Sequence, residues 1–295
     1  MPEKDILIIY HKRCPDGFGA AYAAWKKFGD AAEYLEAGYG DPLPEGIDGK
    51  DVYILDFSYD ETPEAMQELI ARARRVVAID HHISARAITE SAPEHVFDTE
   101  HSGATLAWAY FHPEKPVPEL LKYIEDFDIF RMALPETRSI ATYLIVQRYD
   151  FGVWDDMVRA FDAPHTRTAF LATARTYDEF YEKLCAISVE AAKKVRFEGY
   201  ECYFANSLPS ITMRSRIGNL LYEKLPPIAL VVSAHPDGFG VSIRSDGSVD
   251  VSALAAKYGG GGHAGSAGFF VPNGSKLPWE ELEQDYDRRV KNAPR

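Results

Sequence analysis

Two runs, Val52-Tyr53-Ile54-Leu55 and Val76-Val77-Ala78-Ile79, are apolar at every position, and each closes on a carboxylate, Asp56 and Asp80. A strand that is apolar on both sides must be covered on both faces, which is the situation of a parallel sheet sandwiched by crossover helices. Thr62 to Ala73 between them reads as a helix, and Ile6 to Tyr10 followed by Ala20 to Phe28 repeats the strand-then-helix unit upstream. From Asp5 to His82 the chain is therefore predicted to be α/β with a parallel sheet.

From Ser102 to about Arg196 the pattern is helical, with Ser102 as a helix N-cap and amphipathic stretches at Leu120 to Phe127 and Tyr177 to Val195. Past Glu198-Gly199, Glu201 to Ala205 and Ile228 to Ala234 read as strands, Pro236-Asp237-Gly238 as a turn, and Gly240 to Arg244 as the returning arm of a hairpin. Val251 to Tyr258 reads as a helix. At about 150 residues per domain, 295 residues make two. The expected boundary separates 1–197, a parallel-sheet domain with a helical extension, from 198–295, a smaller α/β domain. Pro-Asp-Gly-Phe-Gly occurs at 15–19 and again at 236–240. The first copy leads into a helix and the second into a strand, so this is not a repeat of one structural unit.

Charge narrows the function. Lys and Arg number 32 against 45 Asp and Glu, a net −13, which argues against a long basic groove for a nucleic-acid polymer but leaves room for a short anionic substrate. The three cysteines, Cys14, Cys185 and Cys202, are widely spaced with no C-x-x-C, so neither a disulfide framework nor a thiolate zinc site is expected. The apolar run Ile6 to Tyr10 is too short for a signal-peptide core or a membrane span, and a cytoplasmic protein without a membrane partner is expected.

Five constellations carry chemistry. His11 and Asp16 sit where β-strand Ile6–Tyr10 passes through a Gly-containing loop into a helix, the edge at which open parallel sheets bind ligands; alone, Asp16 reads equally well as a helix cap. Asp56 ends the next strand, where loops often begin with Asp. Asp80-His81-His82 offers a carboxylate and two imidazoles as the chain leaves the sheet, a pattern that favours metal or phosphate binding. Glu125-Asp126-Phe127-Asp128 places carboxylates near an apolar helix face, where they read as ligands or as a solvated helix end. Gly259-Gly260-Gly261-Gly262-His263 exposes backbone N–H groups to an approaching oxyanion, with Arg244 as an anion clamp. His11, Asp16, Asp56, His81 and Asp128 form an imidazole and carboxylate set suited to Mn2+ or Mg2+.

With these residues in place, the sequence resembles the DHH phosphoesterase superfamily, named for the tripeptide at 80–82, and the GGGGH string at 259–263 resembles its DHHA1 substrate-binding domain. The resemblance spans both expected domains. It implies hydrolysis of a phosphoester or phosphoanhydride with two Mn2+ ions between the domains, by in-line attack of a metal-bound hydroxide. It further implies that His11 holds one ion, that Asp16, His81 and Asp128 hold the other, and that Asp56 bridges them. His82 would contact the phosphate, Asp80 would orient its neighbours, and Arg244, Gly261, Gly262 and His263 would grip the substrate. The family's first motif has two aspartates where this chain has only Asp16. Alignment on Asp-Gly-x-Gly puts Cys14 in the missing position, as a soft ligand or a gap in one metal's shell. Alignment on His11 instead puts Phe18 in the other.

The resemblance extends to oligonucleotide, nucleotide and phosphoanhydride hydrolases. The acidic composition favours a phosphodiesterase for short oligonucleotides or small nucleotides. The alternatives are an exopolyphosphatase or pyrophosphatase-like enzyme, and a catalytically silent nucleotide-binding module motivated by the missing aspartate. Self-assembly into a homo-oligomer is left open by the sequence.

Overall fold

A computed structural model describes residues 4–59 and 63–282. The chain divides into two compact units between Glu179 and Phe180.

In the first unit, β1 (Ile6–His11), α1 (Pro15–Phe28), β2 (Ala32–Ala37), β3 (Asp51–Leu55), α2 (Pro63–Arg72), β4 (Arg75–Asp80), the short α3 (Arg86–Thr89) and β5 (Glu94–Phe97) build a five-stranded sheet in the order β2-β1-β3-β4-β5. Every pairing is parallel. The expected α2 start, Thr62, lies outside the described residues. The strands β2 and β5 went unforeseen because neither is continuously apolar: Ala32–Ala37 carries Glu33 and Glu36, and Glu94–Phe97 is only half-buried. Side-chain alternation sorts the strands onto two cores. Ile8, Leu55, Val77 and Ile79 face a helical layer that includes Phe18, Trp108 and Trp154. Leu7, Ile9, Ile54 and Ala78 face the opposite way, onto Met66 and Leu69 of α2. Each fully buried Ile or Leu contributes about 1.5–3 kcal/mol to holding these layers together.

The helical layer comprises α4 (Gly103–Phe111), α5 (Glu119–Asp128), α6 (Thr137–Ile145), α7 (Phe151–Asp162) and the long α8 (Pro164–Glu190). The helical stretch stops earlier than its pattern suggested, since Lys193–Phe197 forms β6. With Val195 and Phe197 fully buried and the residues before each exposed, period 2 overrides the helical reading there. The unit boundary accordingly falls inside α8 rather than at 197/198. Cys185 and Val189 of its last turns pack with Ala205, Met213 and Ile217, and β6 pairs with the strand that follows it.

The second unit continues with β7 (Tyr200–Asn206), α9 (Ile211–Lys224), β8 (Ile228–His235), β9 (Gly238–Ser245), α10 (Val251–Ala256), β10 (Gly261–His263), β11 (Ser266–Pro272) and β12 (Glu280–Glu281), with a seven-stranded sheet ordered β10-β11-β9-β8-β7-β6-β12. Only β7 and β8 run parallel. The second Pro-Asp-Gly-Phe-Gly copy is the expected hairpin, pairing His235 with Gly238. Among the described residues, no helix is long and apolar enough to cross a membrane.

Candidate metal centre

The carboxyl ends of β1, β3 and β4 deliver the site. β1 ends at His11, and α1 starts directly beneath it: a Cβ on Gly17 would lie 2.2 Å from the His11 carbonyl oxygen, so only glycine lets the helix begin so close to the strand. Gly19, two residues on, admits α4, since a Cβ there would meet that of Ala104 at 2.8 Å. These two contacts explain the glycines of the first Pro-Asp-Gly-Phe-Gly copy. Asp16 caps a helix, but not its own. Its two carboxylate oxygens accept from the backbone N–H groups of Gly103 and Ala104 at 2.6 and 3.0 Å, at the start of α4. Ser102, expected as the cap, makes no side-chain capping bond.

Asp56 adopts φ 63, a left-handed conformation that is uncommon for non-glycine residues and tolerated better by Asp than by most. Gly103 makes room for it, because a Cβ at that position would lie 2.5 Å from the Asp56 Cβ. Around Asp56 the imidazoles close in. His11 Nδ1 is 3.4 Å from Asp56 Oδ2, and His81 Nε2 is 3.2 Å from Asp56 Oδ1, 3.3 Å from Asp128 Oδ2 and 3.8 Å from Asp16 Oδ2. Yet His11 Nδ1, His81 Nε2 and both Asp56 oxygens are buried without a hydrogen bond. Four buried polar atoms that face one another unsatisfied would each carry a desolvation cost of about 1–3 kcal/mol. Divalent cations would satisfy all four at once.

Donor atoms that lie within 4.8 Å of one another fall into three sets: His11, Cys14 and Asp56; Asp16, His81 and Asp128; and Asp56 with Asp80, His81 and His82. Nitrogen and oxygen donors predominate, with one thiol, a mixture that fits cations of the Mn2+ and Mg2+ class.

The electrostatics report crowding of negative charge. Burial, and then the charges of Asp56 and Asp128, push Asp16 well above the carboxylate range. Burial works upward on Asp56 too, but His11 and His81 outweigh it and hold that carboxyl below its ordinary value. Burial and Asp56 raise Asp128 to about 6. Burial, followed by Asp56, Asp16 and Asp128, lifts the Cys14 thiol well above its usual value. A bound cation would reverse the sign of this field.

Asp80 is an organiser. Its Oδ1 accepts from the backbone N–H groups of His81 and His82 and lies 2.8 Å from His82 Nδ1, leaving Nε2 as the outward-facing nitrogen of that ring. Burial lowers the His82 pKa, but the Asp80 hydrogen bond overrides it and lifts the imidazole to about 9. His82 lies edge-on to His11, with Tyr39 packed against both rings.

The carboxylates of α5 separate by role. Asp126 accepts from Ala133 N, Leu134 N and Thr137 Oγ1, tying down the loop after the helix. Glu125 bonds Ser102 N, His101, Thr105 and Arg131. Asp128 alone of the three is placed beside His81.

In the second unit, Arg244, Gly261 and Gly262 line an open groove of about 480 Å3 with Arg214, Ser242 and Phe270. The glycine run is not a free loop: Gly261–His263 forms an edge strand paired to Ser266–Gly268. His263 is exposed on that strand and is not among the groove's lining residues. Arg214 went unnoticed in the sequence, where an unpaired arginine on a helix looks like a paired one.

Residues 208–291 match the DHHA1 domain family. The Asp80-His81-His82 tripeptide at the end of β4 lies outside the matched residues, in the first unit. The second unit carries a DHHA1 domain, and the chain is similar to the DHH/DHHA1 phosphoesterases. The chain is 27% identical over 308 residues to an uncharacterized protein of Acanthamoeba polyphaga mimivirus, covering 94% of the chain and 70% of that protein. Its fold is similar to a pGpG-specific phosphodiesterase, PggH, of Vibrio cholerae (TM-score 0.53, 15% identity, 98% and 97% of the two chains covered). It is also similar to RecJ of Thermus thermophilus, solved in complex with Mn2+ (TM-score 0.51, 13% identity, 91% and 50% covered).

Proposed function

We propose that this protein is a Mn2+-dependent phosphodiesterase that hydrolyses short oligonucleotides or small nucleotides. The observation that carries the reading is the set of four buried, unsatisfied polar atoms on His11, Asp56 and His81, with Asp16 and Asp128 beside them. His11, Cys14 and Asp56 would hold one cation and Asp16, His81 and Asp128 a second, with Asp56 shared. When bound, such cations make water a stronger nucleophile at neutral pH and neutralise charge on the phosphoryl oxygens. The residues do the rest. Asp80 fixes the His82 ring, and His82 would offer its outward Nε2–H to a phosphoryl oxygen or leaving group. Arg244 and the Gly261-Gly262 backbone would hold the part of the substrate that does not react. Mg2+ is the alternative ion.

The pGpG-specific relative by fold supports a dinucleotide as the first substrate to assay. Phe270, an exposed aromatic ring lining the same open groove as Arg244, supports a substrate that carries a base over a bare polyphosphate. The test is a side-by-side rate measurement with Mn2+ on a dinucleotide and on tripolyphosphate, using the native chain and Asp56→Ala. Dinucleotide cleavage that falls by more than about a thousandfold in the variant is expected. Retention of activity within tenfold, or faster hydrolysis of tripolyphosphate, would overturn the reading.

A further inference from the structure

Six described residues other than glycine hold φ in the left-handed region, and five of them, Arg13, Asp56, Phe130, Met132 and Glu136, lie on the segments that carry the candidate metal centre. Such a backbone is costly for a bulky side chain and persists only where the surroundings impose it. Phe130 combines this strain with exposure: it stands two residues past Asp128 at φ 60, and it is 75% exposed. The loop around it is pinned. Phe130 N donates to the Phe127 carbonyl and Met132 N to the Asp126 carbonyl, the Asp126 carboxylate holds Ala133 N and Leu134 N, and Arg131 pairs with Glu125 at 2.8 Å. Among the described residues no other ring lies against Phe130.

The ring thus gains little from packing, while water surrounds it and its backbone is strained. A single exposed apolar residue is unremarkable, but two others share this neighbourhood. Ile83, next in the chain to His82, is 70% exposed, and Tyr39, 37% exposed, packs edge-on against His11 and His82. Asp128 lies 3.3 Å from His81, whose ring is 4.3 Å from that of His82, so all three apolar side chains border one cluster of charged ligands. Two residues of chain span at most roughly 7 Å, which keeps Phe130 within a nucleotide's length of Asp128. The phosphoryl group has no use for apolar surface. What is attached to it does, and an aromatic ring stacks on any base.

We propose that Phe130 is a specificity-determining residue whose ring stacks on the base of the nucleoside attached to the reacting phosphate, with Ile83 and Tyr39 as the apolar wall beside it. This rests on the reading above that the centre cleaves short phosphate esters, and it narrows that class to esters with a base next to the bond that breaks. The pinned loop holds the ring out before substrate arrives, so little ordering accompanies binding.

The experiment compares steady-state rates of the full-length chain with Mn2+ on a dinucleotide and on its abasic analogue, which keeps the phosphodiester and its charge but lacks the bases. Phe130→Ala is expected to raise KM for the dinucleotide about tenfold with kcat within about threefold, and so to cut the preference for the base-bearing ester about tenfold. Phe130→Trp should restore that preference. Equal losses on both esters, or an unchanged preference, would overturn the proposal. Should the native chain cleave neither ester, the readout becomes the fluorescence quenching of a dinucleotide containing 2-aminopurine on binding in Mg2+. Quenching that Phe130→Ala abolishes then keeps the base platform while the phosphodiesterase reading falls; quenching that is absent, or unaltered by the substitution, overturns the platform itself.

Discussion

Asp128→Asn should make the metal-free protein more stable. Asp128 is half-buried among carboxylates, and the balance of burial and Asp56 against His81, His82 and His11 moves its pKa from 3.8 to about 6. Between those values the folded state holds a proton that the unfolded chain releases, so stability falls as pH rises through the window. Below 3.8 the group costs nothing; above about 6 the full cost applies. At about 1.36 kcal/mol per pH unit the shift corresponds to roughly 3 kcal/mol, and because the side chain is 24% exposed, about 1–3 kcal/mol is a fair expectation. Asparagine keeps the shape and removes the charge. The assay is urea denaturation in EDTA, followed by tryptophan fluorescence, since three of the four tryptophans, Trp25, Trp108 and Trp154, lie in the first unit. The variant should gain stability at pH 8 and lose that advantage near pH 3.5, and excess Mn2+ should reverse the ranking at pH 8 by stabilising the native protein more. Destabilisation by Asp128→Asn in EDTA at pH 8 would refute the electrostatic reasoning and with it the view that this cluster is held together against its own charge.

Asp126→Ala should behave oppositely: losing the acceptor for Ala133 N, Leu134 N and Thr137 Oγ1 costs about 2–4 kcal/mol in denaturant titrations, while calorimetry shows unchanged Mn2+ stoichiometry in the folded protein. Cys14→Asp adds a hard oxygen donor beside His11 and Asp56 and should tighten Mn2+ binding by about tenfold or more in isothermal titration; an unchanged affinity would remove Cys14 from the centre. Gly103→Ala forces a Cβ to 2.5 Å from that of Asp56, so a loss of about 1–3 kcal/mol and weaker cation binding are expected together, checked by melting with and without Mn2+.

The strands that deliver the centre were legible because each is apolar throughout and stops at a charged residue, as with Val52–Leu55 before Asp56 and Val76–Ile79 before Asp80. Helix α5 was legible too, but not the division of labour within it. Asp126 and Asp128 are two residues apart on the same helix, and which one turns toward His81 depends on the loop that Asp126 itself secures. The role of Asp16 as a cap for α4 joins positions 87 and 88 residues apart, and no local pattern encodes such a contact. Lys193–Phe197 was misread because it follows a long helix without an intervening proline or glycine to mark the change of period. Arg214 was invisible because a missing partner leaves no trace in a sequence.

The double engagement of Asp16, one carboxylate serving both a distant helix start and the rim of the candidate metal centre, bears on how inactive variants would be chosen to trap the proposed substrate. Neutralising position 16 would loosen the first turn of α4, so a dead variant made there would confound damage to the scaffold with loss of chemistry. His81, which follows directly after β4 and caps no helix, offers a cleaner lesion for such a trap.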